Sequence, residues 1–169
     1  MTLTGSMKQA PWLLIAVAVV IVDLWTKSLA SQMLQYGRPV VILPVLDFTL
    51  LHNRGAAFSF LSSAGGWQRW VFAVIALTVS VVLLVWTLQL KRHERWLSVT
   101  LPLILGGALG NLYDRLTLGY VVDFVHFHWD GRYFPAFNVA DAAITTGAIM
   151  MIIDALWLQS RRNAASGPA

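Results

Sequence analysis

The sequence predicts an all-α integral membrane protein: four transmembrane helices with a small extramembrane β-rich platform on the outer face. Three observations predict it. Of 169 residues, 57% are hydrophobic and only 12% charged, against about 25% charged in soluble domains, so polar side chains are too few to cover a globule in water. Four stretches approach the roughly 20 apolar residues that a helix needs to cross a hydrocarbon core of about 30 Å. The long connections between them carry β-branched and aromatic residues in strand-like runs. A soluble enzyme is thereby excluded. The formal net charge of +4 and the pI near 9.9 invite a nucleic-acid reading, but the basic residues form no basic face, and membrane orientation explains them better. With no cysteine, disulfides, thiolate nucleophiles and Cys-ligated metals are excluded.

The length suits one domain, residues 1–169. The first helix is expected at about 11–29, interrupted by Asp23 and Lys27. Lys8, the run from Trp12 to Val22 and Ser28-Leu29-Ala30 imitate a signal peptide, but Asp23, Trp25 and Lys27 before the supposed cut point to a retained helix. Residues Met1 to Met7 carry no usable signal. Val40 to Phe60, broken at Pro44, reads as short strands. The second helix, about 70–90, contains no charged residue between Trp70 and Leu90. The third, about 96–113, carries Pro102 and three glycines, with Gly106 and Gly110 one turn apart in the small-xxx-small pattern of closely packed membrane helices. Val121 to Trp129 is again strand-like. The fourth helix, about 137–158, carries Asp141 and Asp154, the latter expected to reach the interface at the inner end.

Orientation follows from the basic residues. Lys8, the Lys91-Arg92-His93-Glu94-Arg95 link, Arg161 and Arg162 crowd into short segments on one side, whereas Arg38, Arg54, Arg69, Arg115 and Arg132 are spread over long connections on the other. Both termini are therefore expected to be cytoplasmic, with Trp12, Trp96 and Trp157 near the inner ends and Trp25, Trp67, Trp70 and Trp129 near the outer ends as an aromatic belt.

An intramembrane charge costs about 2.5–3.5 kcal/mol on insertion scales, so each one needs a reason. Asp23 and Lys27 are four apart and share a helix face, which makes them a neutralised pair or a pair that shapes a site from the first helix. Asn111, Asp114 and Arg115 cluster at the outer end of the third helix more densely than helix termination requires. The sharpest feature is Asp123, among apolar neighbours, together with Asp141, one turn into the fourth helix. Asn138 and Asp141 have capping-box spacing, although Glu or Gln serves there more naturally than Asp, and capping leaves Asp123 unexplained. Two carboxylates converging in a low-dielectric site hold one proton between them, which supplies a base to activate water and an acid to protonate a leaving amine.

In its blocks and their order the chain resembles the bacterial lipoprotein signal peptidases (signal peptidase II). The blocks are Asp23 with Lys27; Asn53-Arg54-Gly55-Ala56-Ala57-Phe58-Ser59; Gly110-Asn111-Leu112-Tyr113-Asp114-Arg115; Gly119-Tyr120-Val121-Val122-Asp123-Phe124; and Phe137-Asn138-Val139-Ala140-Asp141. The resemblance implies that Asp123 and Asp141 are a catalytic dyad, and that Asn53, Asn111, Arg115 and Asn138 line the active site and substrate groove. It implies a prolipoprotein substrate carrying diacylglyceryl on its lipobox cysteine, cut on the N-terminal side of that cysteine. Asp23, Lys27, Asp114 and Gly55 are expected to shape the site, Gly55-Ala56-Ala57 allowing close backbone approach. The expected partners are that substrate and membrane lipid, with no nucleic acid, no cofactor and no metal. The chain is expected to act as a monomer in the bacterial inner membrane, with its site at the periplasmic face.

Two rival readings are weaker. His126, His128 and Asp130 alternate along one strand-like run, with His52 elsewhere on the same side, as a metal site would need, but no His-Glu-x-x-His helix motif is present. A transport path needs acids near helix centres and an internal repeat, and neither is seen.

Overall fold

The computed structural model describes residues 9–55 and 66–158. Lys8, Ala56-Ala57-Phe58-Ser59, Arg161, Arg162 and the opening Met1 to Met7 lie outside the described residues. A short 3-10 turn, Ala10–Trp12, leads into α1 (Leu13–Met33); β1 (Val40–Leu43) and β2 (Leu46–Asn53) follow, then α2 (Gln68–Gln89), α3 (Arg95–Thr117), β3 (Val121–Trp129), β4 (Arg132–Tyr133) and α4 (Val139–Ile153), which continues as a π-helical turn, Asp154–Leu158.

Among the described residues, four helices are long and apolar enough to cross a membrane. The expected span limits hold to within a few residues, with one correction that matters. The third helix does not end at Tyr113 but runs to Thr117, so Asp114 and Arg115 belong to its last turn and not to the connection. Nothing between Tyr113 and Thr117 opposes helical dihedrals. The helix stops where Gly119 takes φ +85°, and the N–H groups of Leu118 and Gly119 both donate to the Asp114 carbonyl, at 2.8 and 3.2 Å.

α3 is the central helix, packed against α1, α2 and α4. It has the lowest mean hydropathy of the four spans, 1.3, and 67% of it is buried, against 22% for each of the others. The two facts are one: its neighbours shield it, so beyond the exposed Arg95 at its start it can carry glycines, the Asn111 amide and the charges of Asp114 and Arg115, which a lipid-facing helix would not tolerate. The surrounding helices turn Leu14, Val74, Val82 and Ile152 outward, each more than half exposed, as side chains solvated by lipid should be.

The small residues work as close contacts. A Cβ on Gly106 would lie 2.7 Å from Val19 Cβ and 2.8 Å from the Ala16 carbonyl, so α1 meets α3 there backbone to backbone. A Cβ on Gly107 would run into the Ala140 carbonyl of α4. Asp154, at the end of the fourth helix as the sequence reading has it, is buried at 5% exposure.

The strands form one antiparallel sheet, β1-β2-β3-β4, which is the expected β-rich unit, divided at Pro44 as anticipated. β4 was not anticipated. Its signal is Asp130-Gly131, both at positive φ (49° and 72°), the two-residue hairpin turn that an Asp-Gly pair favours. Between β2 and β3 the register shifts by one residue: Phe48 faces Val125, whereas Leu51 faces Asp123 and Asn53 faces Val121. Since alternate residues take opposite faces, this bulge on β2 puts Asn53 on the same face as Asp123. The segment before α4 is sewn to β3 by Val125 N–H to Phe137 O (2.9 Å) and Phe137 N–H to Val125 O (3.0 Å). The start of α4 is thereby held against the strand that carries Asp123.

Candidate active site

Asp123 lies mid-strand in β3, buried at 3% exposure. Asp141 is the third residue of α4 and half-buried. Asn138, fully buried, links them. Its Nδ2 donates to Asp123 Oδ1 at 2.7 Å, and its Oδ1 accepts from the Asp141 backbone N–H at 2.9 Å. The Asp141 carboxylate in turn accepts from the Asn138 N–H at 3.3 Å, so a complete capping box is present. The expectation that Asp is a poor member of such a box needs correcting: capping and pairing coexist, because the cap uses the Asn138 amide oxygen, while its amide nitrogen donates to Asp123 and, at 3.3 and 3.2 Å, lies on Asn111 Oδ1 and the Val122 carbonyl.

Two further amides complete the set. Asn53 Nδ2 donates to Asp123 Oδ2 at 3.1 Å, while its Oδ1 accepts from the Gly55 N–H at 3.0 Å, an Asx turn that settles which end of the amide faces the acid. Asn111 Nδ2 donates to Asp141 Oδ1 at 2.7 Å. Arg115 bonds back to the Asn111 carbonyl at 3.2 Å, sits 5.4 Å from the Phe72 ring centroid, and has Asp114, Asp123 and Asp141 as charged neighbours. Burial first, and the Asp141 carboxylate second, push the Asp123 carboxyl up to about 7.

Asp23, Lys27 and Asp114 form a buried cluster behind this pair, on the α1–α3 side, with Lys27 Nζ at 2.7 Å from Asp23 Oδ2 and 3.0 Å from Asp114 Oδ2. All ten site residues singled out from the sequence therefore fall in or next to one region. Asn53, Gly55, Asn111, Arg115, Asp123 and Asp141 line a cavity of about 950 Å³; Asn138 bridges its two acids, and Asp23, Lys27 and Asp114 lie behind it.

The sequence reading missed several walls of this cavity: Tyr36, Tyr133, Phe134 and, along α4, Ile144, Thr145 and Thr146. For Tyr133 the Asp-Gly turn was a usable signal, since it folds β4 back so that Tyr133 packs on His126 and His128, at 4.7 and 5.1 Å. His52 is stacked on Tyr120 at 4.0 Å; burial and then Arg54 hold its imidazole below the usual range. Among the described residues no group of three or more His, Asp or Glu side chains is arranged to hold a metal ion. His128 instead faces Asp47, 3.3 Å away.

Fold and site together define a polytopic helical membrane protein with a polar cavity built around two carboxylates. Residues 15–157 match the family described as Signal peptidase (SPase) II, and the chain belongs to that family. It is 51% identical over 151 residues to the lipoprotein signal peptidase of Acinetobacter baylyi, covering 89% of this chain and 84% of that one. It is also 51% identical over 161 residues to the lipoprotein signal peptidase of Pseudomonas aeruginosa, covering 94% and 95%. A solved structure described as a bacterial membrane enzyme, determined in meso at 2.3 Å resolution, superposes with a TM-score of 0.80 at 33% identity, covering 95% of this chain and 94% of the other. The resemblance read from the five blocks is thus borne out.

Proposed function

We propose that the chain is an aspartyl endopeptidase of the bacterial inner membrane that removes the signal peptide from diacylglyceryl-modified prolipoproteins. It cuts on the N-terminal side of the lipid-modified cysteine, with Asp123 and Asp141 as the catalytic pair and with neither metal nor cofactor. It acts as a monomer and a single domain, both termini cytoplasmic, with the sheet and cavity at the periplasmic face. The carrying observation is that two acids from different elements, β3 and α4, are joined through one buried asparagine at the wall of one cavity.

The chemistry follows from unequal surroundings. Asp123, pushed up to about 7, holds the pair's proton at and below neutral pH. Asp141, which accepts from Asn111 and the Asn138 backbone at the cavity wall, acts as the base. Asp141 takes a proton from water as the water oxygen bonds to the scissile carbonyl carbon, and Asp123 gives its proton to the carbonyl oxygen. The tetrahedral species then collapses: the C–N bond breaks, the leaving nitrogen takes the proton from Asp141, and Asp123 recovers its own from the collapsing hydroxyl. The cavity suits the substrate because it runs from the sheet (Asn53, Tyr133) down along α4 to Thr145 and Thr146 within an apolar span. A scissile peptide bond and the acyl chains carried on the side chain of the following cysteine find polar and apolar walls together.

The experiment is cleavage of diacylglyceryl-prolipoprotein by the purified chain in lipid vesicles. Asp123→Asn and Asp141→Asn are each expected to remove turnover, by about 10³-fold or more, with an unchanged oligomeric profile and retained helicity. Full activity in either variant contradicts the pairing.

A further inference from the structure

Lys27 is 3% exposed and lies within hydrogen-bonding reach of three partners. They are Asp23 Oδ2 (2.7 Å), Asn111 Oδ1 (2.9 Å) and Asp114 Oδ2 (3.0 Å). Three partners thus surround the three N–H bonds of one ammonium, Asn111 as a hydrogen bond and the two carboxylates as ion pairs. Neutralising Asp23 takes only one of those contacts. What the other contacts do is visible one step further out.

Each partner reaches a residue at or beside one of the paired acids. Asp23 Oδ1 accepts from the N–H of Ala140, the neighbour of Asp141, at 2.9 Å. Asp114 Oδ2 accepts from the N–H of Val122, the neighbour of Asp123, at 3.1 Å. Asn111 donates to Asp141 itself. This third path has a chemical direction. A primary amide presents an acceptor at one end and donors at the other, and nothing in its shape decides which faces a neighbour. An ammonium has only donors, so Lys27 at 2.9 Å, with Asn138 Nδ2 at 3.3 Å on the same oxygen, holds Asn111 Oδ1 inward and leaves Nδ2 toward Asp141, the end that favours the carboxylate form.

We infer that Lys27 is the positioning residue of the acid pair: one buried ammonium anchors three struts, and through Asn111 it presents Asp141 with a donor and so keeps Asp141 as the base. The inference rests on the catalytic reading of Asp123 and Asp141. Lys27 touches no reacting atom; its effect passes through Asn111.

The test is a mutant cycle on the purified full-length chain in vesicles, read as kcat, KM and unfolding temperature. Lys27→Met alone leaves two buried acids without a cation and risks misfolding. The companion Lys27→Met/Asp23→Asn keeps the net charge of the three-residue cluster at its original value and retains an acceptor for the Ala140 N–H. In this folded background kcat is expected to fall on the order of 10²-fold with KM within about twofold, the signature of misplaced chemistry and not of lost binding. Asn111→Ala should show the same split, and adding it to the double variant should lower kcat no further, because both changes cut one path. Near-normal kcat in the double variant, or losses that multiply when Asn111→Ala is added, would overturn the inference. Asp123→Asn and Asp141→Asn run alongside: if they retain activity the catalytic reading itself fails, whereas if they are inactive while the double variant is not, only the role of Lys27 fails.

Discussion

Asn138 does two jobs with one amide, and the two are separable. Its oxygen caps α4 and its nitrogen holds Asp123. Asn138→Ser keeps an N-cap oxygen but has no amide donor, so the variant is expected to unfold near the wild-type temperature while losing about 10- to 10²-fold in turnover; Asn138→Ala should in addition lose about 0.5–2 kcal/mol of stability. Wild-type turnover in the serine variant would show that the Asp123 contact is idle. A second expectation concerns pH. Asp123 is pushed up to about 7 in the folded state, chiefly by burial. A carboxyl raised on folding stabilises the protein fully at pH below the ordinary carboxylate range, and this contribution is lost as pH rises through about 7. The wild-type unfolding temperature in mild detergent should therefore drop between about pH 5 and pH 9 more steeply than that of Asp123→Asn. Parallel profiles would mean that Asp123 does not titrate there.

Among the elements, α3 makes the site possible because it is approached closely on several sides. Gly107 is where α4 comes down on it, the position of a Cβ being occupied by the Ala140 carbonyl and by Ile144 Cγ1 at 2.7 Å. Ala140 and Asp141 are adjacent, so pushing α4 away at Gly107 moves Asp141 relative to Asn111. Gly107→Ala is expected to cost about 1–3 kcal/mol and to lower turnover as well, measured as a depressed unfolding temperature and a reduced kcat in the fraction that remains folded. An unchanged protein would mean that the α3–α4 contact is looser than the structure has it. The β2 bulge is the comparable device in the sheet: without its one-residue shift, Asn53 would face away from Asp123.

Across the whole molecule, what was legible in the sequence was what depends on local pattern. Membrane spans announce themselves by apolar length, and β3 was anticipated from Val121 to Trp129 because β-branched and aromatic residues cluster there. Asp123 and Asp141 stood out because a chain with eight acidic residues places few without reason. Other features were not legible, because they arise from contacts between residues far apart in sequence. No pattern around Lys27 announces partners 84 and 87 positions away at Asn111 and Asp114. None at Leu50 announces the register shift, and none at Tyr36 announces that the end of α1 borders the cavity. The end of α3 was misplaced by four residues for a related reason: the polar Asn111, Asp114 and Arg115 read as a helix end, whereas packing lets the helix carry them inside.

The most direct measurement of the paired-acid assignment is a structure of this chain with a peptide isostere whose hydroxyl replaces the scissile carbonyl. The hydroxyl oxygen is expected within about 2.5–3.0 Å of a carboxyl oxygen of both Asp123 and Asp141, with Asn53, Asn111 and Asn138 still donating to the acids. An isostere that binds in the cavity but touches only one acid, with the two carboxyls too far apart to share a water, would contradict the assignment.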